Sequence, residues 1–501
     1  MLLHFSVKNF LCKLFSSNGI ISCLIFILIF FAYLPGTAQS YLGYHSTSYA
    51  GVYGTLYNPA NILDLRVNSD VNLLGLSAAA QNNAVNFSLG GTEFPNPITK
   101  TGTMAVQTDI LGPGFMKKID DRHAFAITTR ARAEANMNDF PSGLLNIALQ
   151  TERGAFDHQK ITVQNASAVV HTWNELAFTY SQQVATSNFG VWKAAVSVKL
   201  LGGQGAAYLK SNNFSFTYRD TMKLDTIRRE IYNGGENFQG NINWQYSGIW
   251  DDGHYSFFRQ PGVGLDVGFT YEYRDESQVY ETNYNENTLD YKWKIGASIM
   301  DIGSINYKTS PNSYTIHFTG QSYLFDSLSV PTDSTRLKQI SNTYKTLFPA
   351  TNMPVTDLTM ALPTTLHLMF DYSFNEWLSA ETHLSIPLLF SDKESYVGTY
   401  HPAIFSVTPR AEVPFGGIYL PLGYNVLSGF QAGLALRFGP LTVGSGSLIT
   451  LGALQKSKAA DAYLILRVPF FKYKPYEKEY KPQGHYKLNR RQRKSLDCPT
   501  D

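Results

Sequence analysis

Residues 262–274 alternate without a break. Val263, Leu265, Val267, Phe269, Tyr271 and Tyr273 fall on one face, and Gly262, Gly264, Asp266, Gly268, Thr270, Glu272 and Arg274 on the other. Period-two alternation marks a strand whose two faces meet different surroundings. Strands of soluble domains are commonly about 5–6 residues long, whereas one that crosses a bilayer needs about 9–11. Lipid on one side and a wet lumen on the other produce this pattern, with an apolar face against a small or charged one.

The pattern recurs along the chain. In 173–183, Leu176, Phe178 and Tyr180 oppose Glu175, Thr179 and Ser181; in 189–201, Trp192, Val196, Val198 and Leu200 oppose Lys193, Ser197 and Lys199. In 362–374, Leu366, Leu368, Phe370 and Tyr372 oppose Thr365, His367, Asp371 and Ser373; in 376–388, Leu378, Leu384 and Ile386 oppose Ser379, Glu381, His383 and Ser385. The last segment sets Leu464, Leu466, Val468 and Phe470 against Asp461, Tyr463 and Arg467, and closes on Phe470-Phe471. That aromatic close resembles the C-terminal strand signal read by outer-membrane insertion machinery.

About fourteen such segments are expected, at 69–89, 103–117, 122–137, 171–185, 189–202, 262–274, 290–304, 361–374, 376–390, 400–413, 415–426, 428–438, 440–448 and 459–471. The fold class is therefore all-β, an antiparallel transmembrane barrel. An even strand number puts both termini in the periplasm, with short turns inside and long loops outside. Five of the six inside connections hold four residues or fewer, and 275–289 is the awkward one. The longest connections, 138–170, 203–261 and 305–360, all fall outside. The first carries a run, Leu144 to Leu149, that suggests a lid helix; the second reads as a polar loop.

Composition removes the rival classes. Charged residues are 16 % of the chain and aromatic residues 14 %; a typical soluble domain carries about 25 % charge. An apolar run of 15 residues, 20–34, follows Lys8 and Lys13 and precedes Gly36-Thr37-Ala38. It reads as a signal peptide cleaved after Ala38, too short for a spanning helix. Cys12 and Cys23 leave with it, so Cys498 has no partner for an internal disulfide. These features exclude a disordered chain, a polytopic helical membrane protein and a charged nucleic-acid binder. The domain reading is 1–38 signal, 39–66 a segment before the barrel, 67–471 barrel and 472–501 a basic tail. The tail holds nine basic and four acidic residues and suits contact with a periplasmic or secretion-machinery protein.

The inward faces carry Arg130, Arg132, Glu134, Glu175, Lys193, Lys199, Asp266, Glu272, His367, Asp371, Glu381, His383, Arg410, Glu412, Arg437, Asp461 and Arg467. Mixed signs read either as an ion-paired interior that holds the barrel's shape or as a polar conduit or binding site. Enzymatic chemistry finds no anchor. The glycines of 262–268 lie in a strand rather than before a helix, and Leu201-Gly202-Gly203-Gln204-Gly205 lacks the Lys-Ser/Thr of a phosphate loop. GxSxG, HExxH and a Cys pair are all missing. His367 and His383, near Asp371 and Glu381, admit a metal site, but ordinary polar lining is the stronger reading. No enzyme, cofactor, metal or nucleic-acid partner is expected.

The segment before the first strand is the most informative. Tyr49, Tyr53 and Tyr57 fall at i, i+4 and i+8, one stripe of a short helix that Ser46 or Thr47 would cap and Asn58-Pro59 would end. Fourteen strands enclose a wide lumen, and residues 39–66 are long enough to fold back into it as a plug, the tyrosines lining the path. Asn58-Pro59-Ala60 ahead of strand one resembles the N-terminal hatch of FadL-type long-chain fatty acid transporters. Residues 264–271, 295–303 and 362–365 are similar to blocks of FadL- and PorV-like barrels. The mature chain as a whole resembles a Bacteroidota outer-membrane barrel family of that group. The resemblance implies an outer-membrane barrel that passes or binds small hydrophobic molecules, with outer-membrane lipid around it. The alternative is an accessory barrel of an envelope or secretion assembly.

Overall fold

The computed structural model describes residues 41–471 except 46, 89–90, 94–96, 121, 149–152, 188, 224–230, 250–253, 275–290, 325–347, 349, 354, 389–395 and 454–455. The signal segment, the tail, Ser46 and the 275–289 turn lie outside the described residues.

Among the described residues, fourteen antiparallel strands form a closed barrel. They are β1 Val67–Asn82, β2 Gly102–Lys118, β3 His123–Phe140, β4 Ser167–Thr186, β5 Gly190–Lys223, β6 Gln260–Tyr273 and β7 Trp293–Lys308. Then come β8 (Asp357–Ala361 and Thr365–Ser373), β9 Leu378–Pro387, β10 Ile404–Val413 and β11 (Gly416–Tyr419 and Leu422–Asn425). The last three are β12 (Gly429–Ala432 and Leu434–Phe438), β13 Leu441–Ser445 and β14 Ala459–Phe471. β14 pairs antiparallel with β1, Leu74 opposite Leu466, and this closes the ring. Closure removes the free edges of the ring, the condition for backbone polar groups to survive in hydrocarbon.

The alternation sorts residues as their chemistry requires. Phe178, Val196, Val198, Leu200, Val267, Phe269, Leu368 and Phe370 are exposed on the outer surface, while Glu175, Lys193, Lys199, Asp266, Thr270 and His367 are buried. In water, that exposed band would be too large an apolar surface for a soluble monomer; around a barrel it is the lipid contact. At the end with the short turns, Trp192, Tyr271, Tyr273, Trp293 and Phe370 touch ring to ring, Trp192–Tyr271 at 4.4 Å and Tyr273–Trp293 at 5.2 Å. This is one interfacial girdle.

The opposite end departs from the sequence reading. Residues 203–261 are not a polar loop. β5 runs on to Lys223 as a 34-residue strand and pairs with Ile231–Gly248, which pairs in turn with Tyr314–Leu324. The result is a sheet rising as a wing from one side of the barrel. It has its own core of Phe214, Phe216, Phe238, Phe318 and Phe348, with Phe216 and Phe238 stacked at 4.9 Å. The 138–170 connection does form a helix, Ser142–Ala148, but its Ile147 packs into this wing core. Polar residues on the wing's outer faces hid the buried aromatic face from a composition-based reading. β1 ends at Asn82, where the Asn82 side chain accepts from Ala84 N (2.9 Å) and Val85 N (2.6 Å) and turns the chain into the Asn86–Ser88/Gly91–Glu93 hairpin.

Candidate functional site: the inner segment and its lumen

Residues 41–66 lie inside the barrel, with Tyr41, Tyr44, Tyr49, Val52, Tyr53, Asn58, Ala60 and Ile62 buried. They form two 3-10 turns, Gly51–Leu56 and Pro59–Leu63, in place of the expected α-helix. Gly51 at φ +60° starts the first, a left-handed position that only glycine adopts at little cost. A β-carbon there would also collide with Asp70, which accepts from Val52 N at 2.9 Å. Asn58 is extended (φ −153°, ψ 112°), and its side chain accepts from Ala60 N at 2.9 Å. With Pro59 in the first helical position, Asn58-Pro59 both ends one turn and caps the next.

A 3-10 turn has about three residues per turn, so positions four apart do not share a face. Only Tyr53 lies in the first turn: Tyr49 precedes the left-handed Gly51 and Tyr57 follows the turn, so the three rings point to different walls, which corrects the expected single stripe. The Tyr49 ring lies under Arg437 (4.5 Å) and Arg66 (5.2 Å). Tyr53 donates to Asn72 Oδ1 at 2.9 Å and meets Tyr41 edge-on. Tyr57 stacks on His45 at 3.7 Å and faces His367 and His383.

The wall holds the segment at specific points. Asn58 Nδ2 donates to Phe269 O (3.1 Å) and Ala297 O (3.5 Å), and Ser298 donates to Tyr57 O. Ser181 Oγ donates to Ala60 O at 3.4 Å. Gly268 and Gly296 leave the space: a β-carbon on Gly268 would meet Asn58 and lie 2.6 Å from Pro59 Cδ. Asp64 pairs with Lys193 and with Lys294 (3.4 Å), and Lys193 also with Glu272 (2.7 Å). Burial raises the Asp64 carboxyl, but Lys193 and Lys294 outweigh it and hold it below the usual carboxylate range. Arg467 Nε donates to Tyr44 Oη at 2.8 Å, and its terminal nitrogens reach Asp70 and Tyr49 O.

Deeper in the lumen, Arg132 meets Glu134 (2.7 Å), Glu175 (3.0 Å) and Asp301 (2.8 Å), and lies 4.6 Å from the Trp173 ring. Lys199 joins the same network through Asp266 (2.8 Å) and Asp301 (2.5 Å), and Arg130 binds Asp109. A second network centres on Arg410, with Asp371, Glu381 (3.6 Å) and Glu412 (3.1 Å). His367 Nδ1 and His383 Nε2 are 3.0 Å apart and hydrogen bond to each other. Among the described residues no group of three His, Cys, Asp or Glu side chains is placed to hold a metal.

The sequence reading missed the partners. Asp64 and Asp70 flank the start of β1, and Lys294 shares a face with Gly296 and Ser298, a parity that would have found it. Asp301 sits at φ +59° where β6 and β7 slip register between Leu265 and Val267. The bulge turns Asp301 inward against the alternation, so no periodic rule finds it.

Towards the wing, the inner wall becomes apolar. Val169, Trp173, Leu201, Ile305, Tyr307, Met360 and Leu362 form one buried cluster. Two cavities lie beside the charged belt. One of ≈ 30 Å³ is lined by Tyr57, Arg130, Arg132, Asp301, His367 and His401, and one of ≈ 10 Å³ by Gln81, Gln107, Glu134 and His401. The larger has room for one or two waters and the smaller for one at most; a drug-sized ligand needs about 300 Å³ or more. The arrangement is a filled barrel whose interior segment is latched by ion pairs and side-chain hydrogen bonds.

Residues 59–446 match the model of a family described as "Family of unknown function (DUF5723)". No curated protein matches the chain. Among solved structures it is similar to the toluene transporter TbuX of Ralstonia pickettii, at 12 % identity and TM-score 0.41, covering 87 % of this chain and 99 % of that one. A FadL homologue of Pseudomonas aeruginosa matches at 10 % identity and TM-score 0.40, covering 88 % and 99 %. The toluene transporter TodX of Pseudomonas putida matches at 10 % identity and TM-score 0.32, covering 87 % and 98 %.

Proposed function

The chain belongs to the DUF5723 family, and we propose that it is a gated outer-membrane channel for small hydrophobic molecules, with residues 41–66 as its hatch. The short-turn end then faces the periplasm, and the wing faces outward. The observation that carries this reading is the layering of the lumen. An apolar stratum around Trp173, Ile305 and Met360 lies on the outer side, and a latched segment fills the space below it. An ion passing the face lined by Ile305, Met360 and Leu362 would lose part of its hydration, a cost of several kcal/mol; a small apolar solute would not. Passage then requires the hatch to shift, because the cavities beside it admit only water.

The test uses intact Gram-negative cells, whose outer leaflet slows apolar solutes. Uptake of a radiolabelled monoaromatic hydrocarbon is compared in cells with no barrel, the native chain and Asp64→Asn, a variant with a weakened latch. Uptake that rises with the native chain and again with Asp64→Asn supports the reading. Uptake equal in all three, with the barrel shown to be inserted, rejects it. The wing favours a second reading, an accessory barrel that offers this sheet to a protein partner. The basic tail would serve such a partner on the periplasmic side.

A further inference from the structure

The motif Leu201-Gly202-Gly203-Gln204-Gly205 has a use that the channel reading does not absorb. On β5, Leu201 and Gly203 face inward: Leu201 joins the inner apolar cluster, and a β-carbon on Gly203 would meet Tyr307 and Ile305. Gly202 and Gln204 therefore face out, as does Asn174, which pairs with Gly202 on β4. Polar side chains on the outer wall, next to Leu200 and Val263 in the lipid-facing band, need partners there.

Residues 254–259 supply them. Asn174 Nδ2 donates to Tyr255 Oη (3.1 Å) and Phe257 O (3.2 Å). Gln204 Nε2 donates to Ser256 O (2.6 Å), Phe257 O (3.2 Å) and Gly202 O (3.0 Å). The backbone of Phe257 and Phe258 presses so closely on Gly202 that no β-carbon fits. Asn174 and Gln204 are buried by this contact, although they lie on the outside of the wall. Tyr255, Phe257 and Phe258 remain exposed at 44 %, 38 % and 45 %. They continue the apolar band upward from Val263, exposed at 63 %, to the level where β5 leaves the barrel for the wing.

We infer that Asn174, Gly202 and Gln204 form a seat that clamps residues 254–259 flat on the outer wall, and that Tyr255, Phe257 and Phe258 dock into the boundary between acyl chains and headgroups of the outer leaflet. The occupant is lipid because the patch lies over Gly202, two positions along β5 from Leu200 in the lipid-facing band. Aromatic side chains also favour that boundary. The wing rises from one side only, so a foothold at its base resists tilting of that wall. This inference rests on the barrel and not on the transport reading.

The experiment uses the full chain in phosphatidylcholine vesicles, with Cys12, Cys23 and Cys498 replaced by Ser. Bimane is attached at Phe258→Cys, at Leu200→Cys on the wall and at Gln239→Cys in the wing. Quenching by nitroxide-labelled lipid is compared with quenching by aqueous iodide. The expected result is lipid quenching at 258 close to that at 200 and at least threefold that at 239. Adding Gln204→Leu should lower quenching at 258 towards the wing value while the barrel still migrates as folded on unboiled gels. Iodide quenching at 258 equal to that at 239 would overturn lipid docking. So would protection from both quenchers, which would mean that a second copy or another segment covers the patch. Unchanged quenching with Gln204→Leu would overturn the seat.

Discussion

Arg467 on the last strand donates to Asp70 on the first, Nη1 to Oδ1 at 2.9 Å, with both side chains almost wholly buried. The pair lies across the seam where the barrel closes. It also grips the inner segment, because Arg467 reaches Tyr44 and Tyr49 O while Asp70 accepts from Val52 N. Closure and latching thus share one ion pair.

Arg467→Met leaves Asp70 buried without its cation. Breaking a buried pair from one side costs about 3–5 kcal/mol. The urea midpoint of the folded barrel, read by the shift between unboiled and boiled migration, should fall clearly. The double variant Arg467→Met/Asp70→Asn should recover part of the loss, since no charge is then stranded. Equal loss in the single and double variants would mean that packing, not charge, dominates the site.

The Asp64 latch sets a pH window. Its folded carboxyl lies below the usual range, so its stabilising contribution is complete above the unfolded value of about 3.9. It is lost only as pH falls through the lower, folded value. Channel conductance should therefore owe no change to Asp64 between pH 7 and pH 5 and should rise under stronger acid. Asp64→Asn should show the raised level already at pH 7. A conductance step near pH 6 that survives in Asp64→Asn would assign the latch to another group.

Neighbouring strand positions should fail in different ways. Phe269 is exposed to lipid and Thr270 is wholly buried in the filled lumen. Phe269→Arg puts a charge on the lipid face, which costs about 2–4 kcal/mol near mid-bilayer, and should reduce insertion. Thr270→Arg should insert but crowd the hatch, so its defect should appear as leakage. Outer-membrane fractionation separates the first effect and conductance the second. Equal yields with equal conductance would overturn the assigned faces.

The barrel was legible because lipid forces a period-two code, and that code depends on little else. Strict alternation in 262–274 placed Asp266, Thr270 and Glu272 inward and Phe269 outward without reference to any partner. The contacts between inward residues were not legible. Which cation meets Asp301 depends on a bulge, and which wall faces Tyr57 depends on a 3-10 turn rather than an α-helix. Both are local backbone choices of low energy that distant contacts decide. The wing escaped because its buried Phe214, Phe216, Phe238 and Phe318 are interleaved with Ser, Thr, Asn, Gln and His on the outer faces, so the connection reads as polar on composition alone.

Phe238 lies at the centre of the wing core, 4.9 Å from Phe216 and 5.6 Å from Phe318. Phe238→Ala should cost roughly 3–5 kcal/mol locally. The wing makes its own core, so limited proteolysis should cut within residues 203–248 while the barrel stays folded on unboiled gels. Loss of both together would show that the wing and the barrel fold as one cooperative unit.

The sharpest test of the hatch alters the wall and leaves the hatch sequence intact. Gly268 sits on an inner face of β6 where the Asn58-Pro59 turn presses against the backbone, and Asn58 Nδ2 donates to the adjacent Phe269 O. A valine there pushes its side chain into Asn58 and Pro59 and removes the space that Gly268 leaves for the turn. On the strand itself valine is favourable, so the wall should form and insert as before. The hatch loses its seat but keeps the Asp64 and Arg467 latches, so it should rock rather than leave. Single-channel recordings of Gly268→Val should show intermittent openings above the native level. Deletion of residues 41–66 removes the latches as well and should give a larger, steady conductance. Gly268→Ala, which adds the β-carbon alone, should fall between native and valine. A deletion that inserts correctly yet conducts no better than native would mean that the apolar stratum around Trp173 and Ile305 seals the barrel by itself, and that the hatch is a structural strut.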